Sequence, residues 1–138
     1  MTTEKVVLVV EDNPASRDYI MLWVEEEFCD GPRIIFSSDT QNCSLDEYHQ
    51  DLGVDIIILD FKLTGITGLE ILKVLRKEQN PNRQVPVIFI PGNRNDLGTN
   101  TERDKLFEEM NVIGIFPKPI KIHTIFGCIR DWFSEKGI

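Results

Sequence analysis

Residues 56–65 read IIILDFKLTG: four apolar side chains run straight to the carboxylate of Asp60, and Gly65 and Gly68 mark the loop beyond it. A short continuous apolar run bounded by turn residues fits a strand covered on both faces, because a strand with one wet face would alternate apolar and polar residues. Val6 to Val10 repeats the pattern and stops at Glu11 and Asp12. Val85 to Ile90, with Pro86 near its start, and Val112 to Phe116 are two further strands, and Arg33 to Phe36 is a shorter one. Apolar residues at helical spacing predict helices between them. The first runs over about 14–28, with Pro14 in its first turn and Tyr19, Ile20, Leu22, Trp23 and Phe28 along it. The next lasts to about residue 78 and buries Leu69, Leu72, Val74 and Leu75; others cover about 101–109 and 123–133, the last with Ile125, Phe126, Ile129, Trp132 and Phe133 on one face. Residues 37–53 are the least regular, with a helix expected near 45–51, and the polar, glycine- and asparagine-rich 92–100 is expected to be a mobile loop.

Strands alternating with helices predict an α/β domain with a mainly parallel sheet between two helical layers. Right-handed crossovers make it doubly wound, and ligands in such domains gather outside the carboxyl ends of the strands. Three of those ends carry polar residues: Glu11 with Asp12, Asp60, and Lys118.

The chain has 138 residues, the size of one domain that buries roughly two thirds of its unfolded surface. A single domain over 1–138 is therefore expected. With 23 acidic and 15 basic residues its formal charge is -8, which argues against a nucleic-acid surface. No apolar run approaches the length of a membrane span, so no membrane partner is expected. Cys29, Cys43 and Cys128 are widely spaced, without CxxC or a signal-like segment, and read as free thiols in a reducing cytoplasm.

Carboxylates gathered at one rim repel one another and call for a cation. An all-oxygen set suits Mg²⁺, whereas zinc favours cysteine or histidine, and His49 and His123 are placed as surface or capping residues. A divalent ion and Lys118 beside Asp60 would neutralise an incoming phosphoryl group, leaving Asp60 as a carboxylate nucleophile. Taken singly, Glu11 and Asp12 read as a polar strand-to-helix connection, Asp60 as a cap, and Lys118-Pro119 as a surface turn. Their joint placement favours the site, provided Asp60 lies near the acids and within reach of solvent. Acids after the first strand, in place of GxGxxG, disfavour a dinucleotide enzyme, and no P-loop is present. An aspartyl-nucleophile hydrolase would want a second acid where Lys62 stands.

The acidic pair in VVEDNP, the ending IIILD, the spacing from Asp60 through Leu63 to Gly68, the strand VPVIFI and the pair Lys118-Pro119 together resemble the receiver domain of two-component response regulators, over essentially the whole chain. The resemblance implies a three-layer, flavodoxin-like (CheY-like) fold with five parallel strands in the order 2-1-3-4-5. It implies that Asp60 accepts a phosphoryl group from a histidine kinase or histidine phosphotransfer protein. Glu11, Asp12, Asp60 and the backbone carbonyl of Lys62 would hold Mg²⁺, Lys118 would contact the phosphoryl group, and Pro119 would follow a cis peptide bond. Lys62 and Asn93 would flank the approach path and tune phosphoryl lifetime. A homodimer is a further expectation, with Trp132 or Phe133 as a partial anchor. No output domain is expected after the last helix.

Two switch positions depart from the pattern, and Thr64 stands where the family often has proline, a milder change that affects loop stiffness. Where the family usually has threonine or serine at the end of the fourth strand, this chain has Pro91, which offers neither a hydroxyl nor a backbone donor. Where it usually has an aromatic on the fifth strand, this chain has Ile115, and Phe116 beside it should point to the opposite face. Phosphotransfer chemistry is expected with an altered switch. The alternative is a non-switching pseudo-receiver that acts as a protein-binding or dimerisation module.

Overall fold

The structure, a computed structural model, describes residues 5–11, 13–27, 33–36, 45–61, 63, 66–92, 99–119 and 121–135. Strands β1 (Val6–Val10), β2 (Arg33–Phe36), β3 (Ile56–Asp60), β4 (Val87–Ile90) and β5 (Val112–Ile115) form one parallel sheet in the order β2-β1-β3-β4-β5. Helices α1 (Pro14–Glu27), α2 (Gly68–Leu75), α3 (Asn100–Glu109) and α4 (Ile122–Glu135) connect them.

The apolar runs are continuous because alternate residues feed two cores. Leu8, Val10, Ile57, Leu59, Val87 and Phe89 pack with Ile71, Leu72, Val74 and Leu75 of α2 and Leu106 of α3. Val7, Val9, Ile56, Ile58, Ile88 and Ile90 pack on the other face with Ile20 of α1 and Ile122, Ile125, Phe126 and Ile129 of α4. Trp132 and Phe133 of α4 are half-buried at the edge of that second core.

Several boundaries differ from the sequence expectation. The helix expected near 45–51 is a single 3-10 turn, Asp46–His49, because the segment is held by side-chain hydrogen bonds rather than by an apolar helical face. Helix α2 ends at Leu75 and not near 78: the Arg76 N–H bonds the carbonyls of both Leu72 and Val74, and the chain tightens out of the helix. Pro86 lies outside β4, and Gly68 is the first residue of α2 rather than part of the loop. Phe28, Cys29, Cys43 and residues 93–98 of the mobile loop expected over 92–100 lie outside the described residues, while Thr99 caps α3 and Asn100 begins it.

Strand β5 carries a register shift against β4: Val87 pairs with Val112, but Ile88 pairs with Gly114. One extra residue in a strand turns every later side chain to the other face. Ile115 consequently packs with the α2–α3 core and Phe116 with the α1–α4 core.

Candidate functional site

Three strand ends meet at one rim of the sheet. Asp60 is the last residue of β3, whose partner β1 leads directly into Glu11. On its other edge β3 pairs Asp60 with Ile90, and the Phe61 N–H bonds the Ile90 carbonyl at 3.2 Å. Beyond β5, the Lys118 N–H donates to the Pro91 carbonyl at 2.9 Å, which fixes the root of the lysine opposite Asp60. The Lys118–Pro119 peptide bond is cis.

The side chains converge. Lys118 Nζ lies 3.2 Å from Asp60 Oδ2 and 4.0 Å from Glu11 Oε2. Glu11 is oriented by Asn13, whose backbone N–H donates to Glu11 Oε1 at 3.0 Å. Asn13 also caps α1: its Oδ1 accepts from the Ala15 N–H at 2.9 Å and the Ser16 N–H at 3.3 Å. The same short turn thus starts a helix and aims a carboxylate.

Burial decides the electrostatics. Glu11 is 2% exposed and Asp60 4%, while the Lys118 side chain keeps 35% of its surface. Desolvation first, and the charge of Asp60 second, push the Glu11 carboxyl up from 4.5 to about 7; the Asn13 N–H and Lys118 pull the other way. The rim is more closed than the sequence reading supposed, because Lys118 lies over the carboxylates and Asp60 has little direct access to solvent.

Glu11 Oε2 is buried without a hydrogen-bond partner. An orphaned carboxylate oxygen beside a second carboxylate is a vacant hard-oxygen donor, so these residues fit an Mg²⁺ ion. Among the described residues no three His, Cys, Asp or Glu side chains form a cluster, and Glu11 and Asp60 supply the pair that meets. Asp12, Lys62 and Asn93 lie outside the described residues.

Pro91 is buried beside the site. It contributes only its carbonyl, to Lys118. Ile115 is half-buried in the α2–α3 core. A groove of about 440 Å³ opens next to Lys118 and Pro119, walled on α1 by Ala15, Ser16 and Tyr19. Two contributors were not singled out from the sequence: the Asn13 groups that orient Glu11 and cap α1, and the Pro91 carbonyl. Asn13 alone left a sequence signal, the Asn-Pro pair that starts a helix.

The family model for the response regulator receiver domain matches residues 7–130. Response regulator RR06 of Streptococcus pneumoniae is 27% identical over 135 residues, covering 96% of this chain and 56% of the relative. The chain spans between 12% and 56% of the length of the curated relatives it matches. In fold it is similar to a response regulator receiver protein from Pseudomonas putida, with a TM-score of 0.70 at 17% identity over 95% of this chain and 99% of that one. It is also similar to the receiver domain of a sensor histidine kinase from Pseudomonas aeruginosa, with a TM-score of 0.69 at 20% identity over 96% of this chain and 99% of that one. That second structure has a magnesium ion coordinated in its active-site cleft.

Proposed function

Because the chain belongs to the response regulator receiver domain family, we propose that it is a phosphotransfer receiver that takes a phosphoryl group on Asp60 from a histidine kinase or a histidine phosphotransfer protein. The observation that carries this reading is the contact of Lys118 Nζ with Asp60 Oδ2 at 3.2 Å beside the buried Glu11. The rest of the reading is a single domain over 1–138 with the doubly wound order 2-1-3-4-5.

In the transfer, an Asp60 carboxylate oxygen forms the bond to phosphorus as the phosphorus–nitrogen bond of the donor breaks, and the electron pair returns to the imidazole. Lys118 swings from the free carboxylate to a phosphoryl oxygen, so its charge is retained through the step. Glu11, Asp12, Asp60 and the Lys62 carbonyl would hold Mg²⁺, which when bound neutralises carboxylate and phosphoryl charge. In this reading Lys62 and Asn93 are the residues assigned to tuning phosphoryl lifetime. The groove between Lys118 and α1 gives a donor protein a surface next to the reacting atoms. The place of action is the cytoplasm, and a homodimer mate is a second partner of this reading.

Pro91 and Ile115 set this receiver apart. With no hydroxyl at 91 and no aromatic at 115, phosphorylation is not relayed by those two side chains, and the output is altered. The buried proline and the small exposure of Asp60 also favour a second reading, a non-switching protein-binding or dimerisation module. Incubation with Mg²⁺ and acetyl phosphate, followed by intact mass, separates the two. An added phosphoryl mass that disappears in Asp60→Asn supports the receiver; no adduct from acetyl phosphate or from a phosphohistidine protein supports the module.

A further inference from the structure

Helix α2 begins against the main chain of the strand that ends in Asp60. The Gly68 N–H donates to the Phe61 carbonyl at 2.6 Å, which ties the start of α2 to the residue that follows β3. The first turn of α2 is held in place by Thr67 and Glu70: the Glu70 N–H bonds Thr67 Oγ1 at 3.2 Å, and the Thr67 N–H bonds Glu70 Oε2 at 2.7 Å. A Cβ on Gly68 would stand 2.5 Å from the Asp60 carbonyl oxygen, 3.3 Å from its carbonyl carbon and 3.0 Å from Phe89 Cε1. The nearest obstruction is backbone, which cannot rotate away as a side chain can.

From this contact we infer that Gly68 is a positioning residue for Asp60, resting on the phosphoacceptor reading above. Its bare α-carbon lets α2 seat directly on the Asp60 peptide, opposite the β4 edge that holds the next residue at Ile90. Asp60 is thereby clamped from two sides, and its carboxylate is aimed at Lys118. Any side chain at 68 must displace either the end of β3 or the start of α2. Displacement on the scale of an ångström lowers a positioned reaction by about a hundredfold.

The test uses the full chain and two readouts. The first is the NMR signal of the Lys118 side-chain CH₂–NH₃⁺ group, with Asp60→Asn marking the position it takes when the carboxylate charge is lost. Gly68→Ala is expected to move this signal toward the Asp60→Asn position, whereas Gly127→Ala, where an added Cβ meets nothing within 4 Å, leaves it in place. The second is the maximal rate of phosphorylation by acetyl phosphate in Mg²⁺, expected to fall roughly tenfold or more in Gly68→Ala with little change in the half-saturating donor concentration.

An unmoved Lys118 signal overturns the inference. So does full recovery of rate and signal in Gly68→Ala/Phe89→Leu, because the glycine would then serve only the Phe89 ring. Should Gly68→Ala not fold, Thr67→Ala loosens the same helix start without adding an atom near Asp60, and an unmoved Lys118 signal in it is equally fatal. If the wild-type chain takes up no phosphoryl group, the phosphoacceptor reading fails by itself and the Lys118 signal alone decides the role of Gly68.

Discussion

At the scale of single residues, the carboxyl of Glu11 shows what the site asks of the fold. Its pKa is raised from 4.5 to about 7 by burial and by the charge of Asp60. The folded chain therefore holds this proton more tightly than the unfolded chain, and folding stability falls as pH rises through that window. At about 1.4 kcal/mol per unit the full loss is about 3 kcal/mol. In metal-free buffer with a chelator, the urea midpoint is expected to drop between pH 5 and 8, and Glu11→Gln is expected to flatten that slope and to be more stable than wild type at pH 8. An equal slope in wild type and Glu11→Gln would mean that Glu11 is not the group responsible. Glu11, Asp60 and Lys118 were legible in the sequence because each polar residue follows an apolar strand, so a parallel sheet brings them to one rim. The Asn-Pro pair marked the turn at Asn13 but not that its N–H aims Glu11, and the closeness of Gly68 to the Asp60 main chain and the Phe89 ring depends on packing between segments that no local pattern encodes.

At the scale of elements, the segment after β2 is tied to the α2–β4 connection by two buried asparagines. Asn80 Nδ2 donates to the carbonyls of Tyr48 at 2.7 Å and Val74 at 2.9 Å. Asn82 Nδ2 donates to the Gln50 carbonyl at 2.7 Å, and its Oδ1 accepts from the Leu52 N–H at 3.0 Å. Arg76 then joins that connection to the end of α3, donating to the carbonyls of Met110 at 2.8 Å, Val85 at 2.5 Å and Asn82 at 3.2 Å. Burial pulls its guanidinium down to about 10, which leaves it charged at neutral pH. Asn82→Ala strands backbone groups in the interior, each of which costs about 1–3 kcal/mol. Urea denaturation is expected to show a loss of roughly 2–3 kcal/mol, with the phosphorylation rate unchanged because the network lies away from the site. A loss below about 0.5 kcal/mol, the range of ordinary surface substitutions, would mean that water replaces these bonds. The strands and main helices were legible because their apolar periodicity is local. The 3-10 turn and the shift in β5 were not, since each answers to a hydrogen bond or pairing made from far along the chain, and the early end of α2 was not, since the Arg76 N–H tightens onto the Leu72 and Val74 carbonyls without a breaker residue in the sequence.

At the scale of the whole molecule, the question is how far a charge change at Asp60 can travel. The rim is linked to the β4–α3 side through Pro91, whose carbonyl holds the Lys118 backbone, and to β5 through Ile115, which packs into the α2–α3 core. In the proposed receiver reading neither side chain can gain or lose a hydrogen bond on phosphorylation of Asp60, so neither supplies a differential contact that would pull on the β4–α3 side. Among the described side chains of α3, Leu106 is the buried apolar anchor and Phe107 is 45% exposed. Phosphorylation of the wild-type chain is therefore expected to shift amide signals near Asp60, Glu11 and Lys118 while leaving α3 unmoved. Pro91→Thr supplies both a hydroxyl and a backbone N–H at the end of β4, which in the proposed reading offers a phosphoryl oxygen a bond that the free state lacks. In that variant the amide shifts are expected to extend through residue 91 into α3, with no such extension in Pro91→Ala, which regains the N–H alone. If α3 moves fully in the phosphorylated wild-type chain, coupling runs by a route independent of residue 91, and the proline is a substitution without consequence for signalling.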